Sequence, residues 1–131
     1  MDVSRKKRER PDPAGLGLPR CGVDSHAHLD GEEFSADEIP AVLARGAAAG
    51  LAQVGNVFLG PAAFAARKAL FDAHPEVFFL LGVHPCDAAT LAPGDLPAME
   101  AAFRNEPRLR ALGEIGLDYY WDSAPREVQL T

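Results

Sequence analysis

The sequence predicts an α/β fold with a parallel sheet. Short apolar runs alternate four times with helix-patterned segments beyond Cys21, and the units repeat every 25 to 35 residues or so, as in βαβ construction with right-handed crossovers. A third observation bounds the size. A (β/α)8 barrel of the TIM type takes about 250 residues, so the roughly 110 residues after the leader amount to half of one. The alternative is a small open doubly wound sheet, which four strands could also form.

Each element follows from local chemistry. "CGVDSHAHL" is the first strand and "DEIPAVLARGAAAG" the first helix, with Asp37 as its cap, Pro40 in its first turn and Gly50 past its end. "AQVGNVFL" is the second strand, and "PAAFAARKALFDAH" a helix opening on Pro61 and stopping before Pro75. "VFFLLGVHP" is the third strand, apolar on both faces as in a sheet covered on each side. "GDLPAMEAAFRNE" is a helix with Asp95 as cap and Pro97 in its first turn, and "RALGEIGLD" is the fourth strand. "SAPREVQLT" begins a fourth helix, with Ser123 as cap and Pro125 in its first turn.

Of the 131 residues, 47% are hydrophobic and 24% charged, the balance of a globular protein. There is no run of about 18 apolar residues, so no membrane span is expected. Residues 1–20 carry a net +3 and residues 21–131 a net −9. The first segment reads as a basic, disordered tail, with "RKKRER" a solvated run rather than an import signal or nucleic-acid patch. Residues 21–131 form the folded unit. Its acidity argues against a broad electrostatic DNA-binding face, though not against a nucleic acid held through metal ions. Cys21 and Cys86 are too few for a disulfide framework, and the leader lacks the apolar segment of a secretory signal, so a reducing, cytoplasmic protein is expected. Placed at opposite ends of the sheet, roughly 20 Å apart, the two cysteines should not pair.

Chemistry gathers where the strands end. In a strand, residues i and i+2 share a face, which aligns Asp24, His26 and His28. Two imidazoles so placed can converge on a borderline divalent ion such as zinc or manganese, with Asp24 behind them as an acidic support. Two polar residues at a strand end are the alternative. Glu114, Gly116 and Asp118 would share one face of the fourth strand, with Ile115 and Leu117 packed on helices behind. A buried carboxylate needs a partner or a metal, and Gly116 would leave room for an ion and a water. His84 ends the third strand, either as a site residue or as a histidine bonded to a backbone carbonyl. His74, at a helix end, has only a helix-dipole role. Three of these features fall at strand C-termini, the face that carries the active site in parallel (β/α) folds.

Together, "VDSHAHLD", "GVHP" and "GEIGLDYYWD" resemble the TatD family of metal-dependent deoxyribonucleases, amidohydrolase-like enzymes with a (β/α)8 barrel. The resemblance covers Cys21 to Thr131 and corresponds to the N-terminal half of such a barrel, truncated after about four strands. It implies that His26 and His28 bind one divalent ion (Mg, Mn or Zn) and that Glu114, the catalytic carboxylate, bridges to a second. It also implies that His84, Asp118 and Tyr119 line a groove for a DNA substrate. In the family, later strands supply two further histidines and an aspartate, which this sequence does not contain. Little or no catalysis is therefore expected of the 131-residue chain alone. An amide- or ester-cleaving relative and a non-catalytic fragment are the other two readings.

Overall fold

The computed structural model describes residues 10–130; positions 5–9 of the basic run lie outside them. Four parallel strands, β1 (Gly22–Ala27), β2 (Leu51–Leu59), β3 (Val77–Gly82) and β4 (Leu109–Leu112), pair in the order β1-β2-β3-β4. That order separates the two topologies left open by the sequence. A doubly wound sheet reverses its strand order at a switch point, whereas a barrel adds each strand beside its predecessor. The chain is the N-terminal half of a (β/α)8 barrel.

Helices α1 (Ile39–Ala48), α2 (Pro61–Arg67), α3 (Asp95–Asn105) and α4 (Arg126–Gln129) connect or follow the strands. The core lies between helices and sheet. Phe58 of β2 and Phe79 of β3 meet Phe64 of α2 and Phe71, with ring centroids 5.2–6.2 Å apart and mostly edge-on. The opposite face of the sheet, the future barrel interior, carries Gly55, Phe78 and Leu80. A side chain at Gly55 would run into Phe78 and Leu80, so glycine is what lets these two fill the layer.

Several sequence expectations need correction in detail. Asp37 does not cap α1. Instead the Glu38 carboxylate accepts from Ser35 N–H and Ser35 Oγ, each at 2.9 Å, in half of a capping box. Those two donors hold the Glu38 carboxyl below its ordinary range. Asp95 is the first residue of α3 rather than its cap, and its carboxylate accepts from Ala92 N–H at 2.8 Å. The second helix tightens after Arg67 into a 3-10 turn, Lys68–Phe71. In α4 the cap position belongs to Pro125, not Ser123. Order also begins ahead of Cys21: Pro13–Leu16 form a 3-10 turn capped by Asp12, and Arg20 Nε donates to Leu51 O at 3.2 Å.

The largest correction concerns β4, which stops at Leu112. Gly113 N still donates to Leu81 O at 3.1 Å, but the chain then crosses the end of β3. It passes so close that a Cβ on Gly82 would strike the Gly113–Glu114 peptide. Glu114, Gly116 and Asp118 therefore lie on a loop, not on one strand face. Ile115 and Leu117 are 54% and 50% exposed instead of packed behind it. Gly116 faces Pro85 and Gln129, so it does not open room beside Glu114.

Candidate metal centre

The site is assembled at the C-terminal end of the sheet, by His26 near the end of β1 and by His28 and Glu114 just past β1 and β4. β1 carries an irregularity at the first histidine: Asp24 pairs with Val54 and Ala27 with Asn56, so that Ser25 and His26 stand opposite Gly55 alone. Bulges of this kind re-aim side chains. Strict i, i+2 alternation therefore does not hold from Asp24 to His28, and the Asp24 carboxylate accepts from His26 N–H at 3.0 Å rather than touching an imidazole. Asp24 steadies the main chain entering the site, a correction to its expected support of the rings.

The two imidazoles nevertheless converge. His26 Nε2 and His28 Nε2 are 3.2 Å apart, and Glu114 Oε2 lies 3.3 Å from the first and 3.7 Å from the second. An ion with ligand bonds of 2.0–2.1 Å in tetrahedral geometry sets its ligand atoms about 3.3–3.4 Å apart. The observed triangle has that size. The three side chains are 51%, 41% and 33% exposed, open on one side.

Tautomers can be read from the partners. His28 Nδ1 is 3.2 Å from Val57 O, which can only accept, so Nδ1 carries the proton and Nε2 offers its lone pair to the triangle. A carbonyl behind a ligating imidazole is the usual way to orient it. His84 is arranged the opposite way. It caps the 3-10 turn Pro85–Thr90, with Nδ1 accepting from Cys86 N–H at 3.2 Å, so its neutral ring carries the proton on Nε2. That Nε2 points to the other Glu114 oxygen, Oε1, at 3.7 Å. His84 thus stands beside Glu114, and its backbone bond is to an N–H, not a carbonyl.

Other expected residues stand apart from the triangle. Asp118 Oδ1 accepts from Tyr120 N–H at 2.8 Å, while the Asp118 backbone is clasped by the Gln129 side chain through bonds of 2.9 and 2.8 Å. Tyr119 lies under the Arg126 guanidinium, 4.5 Å from ring centroid to Cζ. Asp118, Tyr119, Trp121 and Arg126 line their own hollow. His74 is paired with Glu76 at 3.5 Å, outside the site. Cys21 and Cys86 are both free thiols, as expected.

The sequence reading missed the supports on β2. Asn56, fully buried, accepts from Leu29 N–H at 2.8 Å and donates to Asp30 Oδ1 at 2.9 Å. Its signal was there to be used: a lone amide inside the apolar run "VGNVFL". Arg67 was also missed; its guanidinium donates to Asp30 O. A cleft of about 580 Å³ opens beside His28, lined by Asp30, Glu32, Glu33, Leu59 and Arg67.

Three comparisons bear on this geometry. A family model described as TatD related DNase matches residues 23–131. The chain is 28% identical over 106 residues to YabD of Bacillus subtilis (strain 168), named an uncharacterized metal-dependent hydrolase, covering 81% of this chain and 41% of that protein. It also superposes on the crystal structure of YjjV, a TatD homolog from Escherichia coli K12, with a TM-score of 0.72 and 32% identity, covering 82% of this chain and 42% of that one. The chain thus spans about two fifths of the length of the relatives it matches.

Proposed function

The chain belongs to the TatD-related DNase family, and we propose that it forms part of a metal-dependent hydrolase that cleaves phosphodiester bonds in DNA. The observation that carries this reading is the triangle of His26, His28 and Glu114, with the second Glu114 oxygen turned toward His84. Three protein donors with one side open suit a catalytic centre better than a closed structural one.

His26 and His28 would hold one divalent ion, magnesium, manganese or zinc, and Glu114 would share its two oxygens between that ion and a second. Such ions, when bound, place positive charge on phosphoryl oxygens and acidify water. The chain's own residues orient and select. Val57 O holds the His28 ring, and His84 presents an Nε2–H donor beside Glu114, placed to steady a phosphate oxygen. Asp118 and Tyr119, with Trp121 and Arg126, form a rim suited to the neighbouring nucleotide. Because residues 21–131 carry a net −9, neutralising a polyanion falls to bound ions rather than to lysine and arginine. Two free thiols suit a reducing compartment, the cytoplasm. No helix among the described residues is long and apolar enough to cross a membrane.

The test combines metal stoichiometry with a substrate panel. Manganese titration of the chain should give one ion per molecule, lost in His26→Ala and His28→Ala. DNA oligonucleotides and nitrophenyl phosphodiesters, carboxylic esters and anilides are then offered to this chain and to a longer one containing it. Metal-dependent phosphodiester cleavage by the longer chain supports the reading. Cleavage of carbonyl substrates alone would transfer the site to amidohydrolase chemistry, and unchanged manganese content in the histidine variants would remove the centre altogether.

A further inference from the structure

Asn56 is a polar side chain in the middle of an apolar strand, 0% exposed. A buried amide is costly unless its groups are bonded, and a valine or leucine would fill the same space without that demand. Its bonds all go to one place. Oδ1 accepts from Leu29 N–H at 2.8 Å and Nδ2 donates to Asp30 Oδ1 at 2.9 Å. The orientation of the amide is dictated by its partners, since a backbone N–H can only donate and a carboxylate only accept. The next residue on the strand, Val57, turns its carbonyl to His28 Nδ1 at 3.2 Å.

Three consecutive residues after β1, His28 to Asp30, are thus pinned to two consecutive residues of β2. Pairing of β1 with β2 ends at Ala27 opposite Asn56. Past that point the backbone ladder no longer fixes the chain, and the Asn56 side chain takes over at the residue following His28. Were Leu29 and Asp30 to drift, the His28 ring would leave Val57 O, and its Nε2 would leave the triangle with His26 and Glu114.

We infer that Asn56 is a positioning residue for His28: its amide locks the Leu29–Asp30 backbone so that His28 Nδ1 stays on Val57 O and Nε2 stays aimed at the metal position. The inference rests on the metal-centre reading above and extends it to a residue that touches neither ion nor substrate.

The test uses the 131-residue chain, cobalt(II) as probe, and the 15N shifts of the metal-free His28 ring as a second readout. Asn56→Asp sets two carboxylates against each other and removes the donor to Asp30. Cobalt affinity should fall about 10–100-fold, the usual effect of losing an outer support of a ligating histidine, and His28 should lose its preference for the Nδ1–H form. Combining Asn56→Asp with Asp30→Asn exchanges amide and carboxylate, restores the bond between them and keeps an acceptor facing Leu29 N–H. Affinity and tautomer should return toward wild type. Should Asn56→Asp not fold, Asn56→Ser keeps an acceptor of smaller size and is read the same way.

A role in folding alone predicts something different: lower melting temperature, but unchanged cobalt affinity and unchanged His28 tautomer in the folded protein. That result overturns the inference. Wild-type protein that binds cobalt no better than the His26→Ala, His28→Ala double variant would instead sink the metal-centre reading, and the His28 ring shifts in the Asn56 variants would still decide the positioning role.

Discussion

Gly82 offers the sharpest single perturbation, because one added methyl group should disturb the site from behind. A Cβ there would lie 2.5 Å from Gly113 C and 2.8 Å from Glu114 N, and closer still to Glu114 O, where ordinary contact begins at 3.4 Å. These neighbours are backbone, with no flexible end to swing aside. In Gly82→Ala the peptide must therefore retreat by about 0.9 Å to reach ordinary contact, and overpacking of this kind costs about 1–3 kcal/mol of stability. Glu114 rides on that peptide. Its Oε2 sits 3.3 and 3.7 Å from the two imidazole nitrogens, and the retreat would widen those gaps to about 4 Å or more. Ligand atoms bound at 2.0–2.1 Å cannot stand much beyond about 4.2 Å from one another, so the carboxylate bond is stretched or lost. Disturbing the support of a ligand costs metal affinity about 10–100-fold, or about 1.4–2.7 kcal/mol of binding.

Isothermal titration of manganese or cobalt well below the melting temperature would measure the change. Gly94→Ala is the matched control, since a Cβ there meets nothing within 4 Å. Wild-type affinity in Gly82→Ala would refute the reasoning, because it would mean that Glu114 is not held through this crossing.

Three further outcomes follow from other parts of the molecule. Phe58→Ala removes a ring that is 0% exposed and meets three other aromatic rings; urea unfolding should show a loss of about 3–5 kcal/mol. His84→Ala should leave cobalt affinity unchanged while weakening phosphodiester binding, because its Nε2 is a donor beside Glu114; a parallel loss of cobalt would make it a ligand. The lowered Glu38 carboxyl contributes stability that is present above its ordinary value of 4.5 and is lost as pH falls through the folded value. Melting temperatures across the acid range should therefore fall less steeply in Glu38→Gln than in wild type.

The sequence carried the fold well because strand and helix patterns are local. Apolar runs at strand period and proline-opened helices located all four βα units, and the one choice it left open, barrel or doubly wound sheet, depends on strand order, which no local pattern encodes. The histidine pair and Glu114 were legible as residue types whose burial or pairing demands a reason. Misreadings arose where a contact distant in sequence decides the local structure. β4 ends early because Gly82 admits a crossing chain, and His28 is oriented by Val57 O across 29 residues. Asn56 signalled a buried amide in need of partners, but those partners, Leu29 and Asp30, lie just past β1, 27 and 26 residues away.

The sequential strand order has a mechanical consequence. Neighbouring strands lie about 4.8 Å apart, so in a flat sheet β1 and β4 would be separated by roughly 14 Å. The side chains at the site span part of that distance, and bending of the sheet supplies the rest, until His26 and Glu114 stand 3.3 Å apart. An ion held there would act as a tie rod between the first and fourth strands, which share no ladder. By linkage, any ligand that binds only the bent form stabilises it, by about 2.7 kcal/mol at a concentration 100 times its dissociation constant. Metal affinity in this chain would then report how far four strands have already adopted the curvature of a closed barrel.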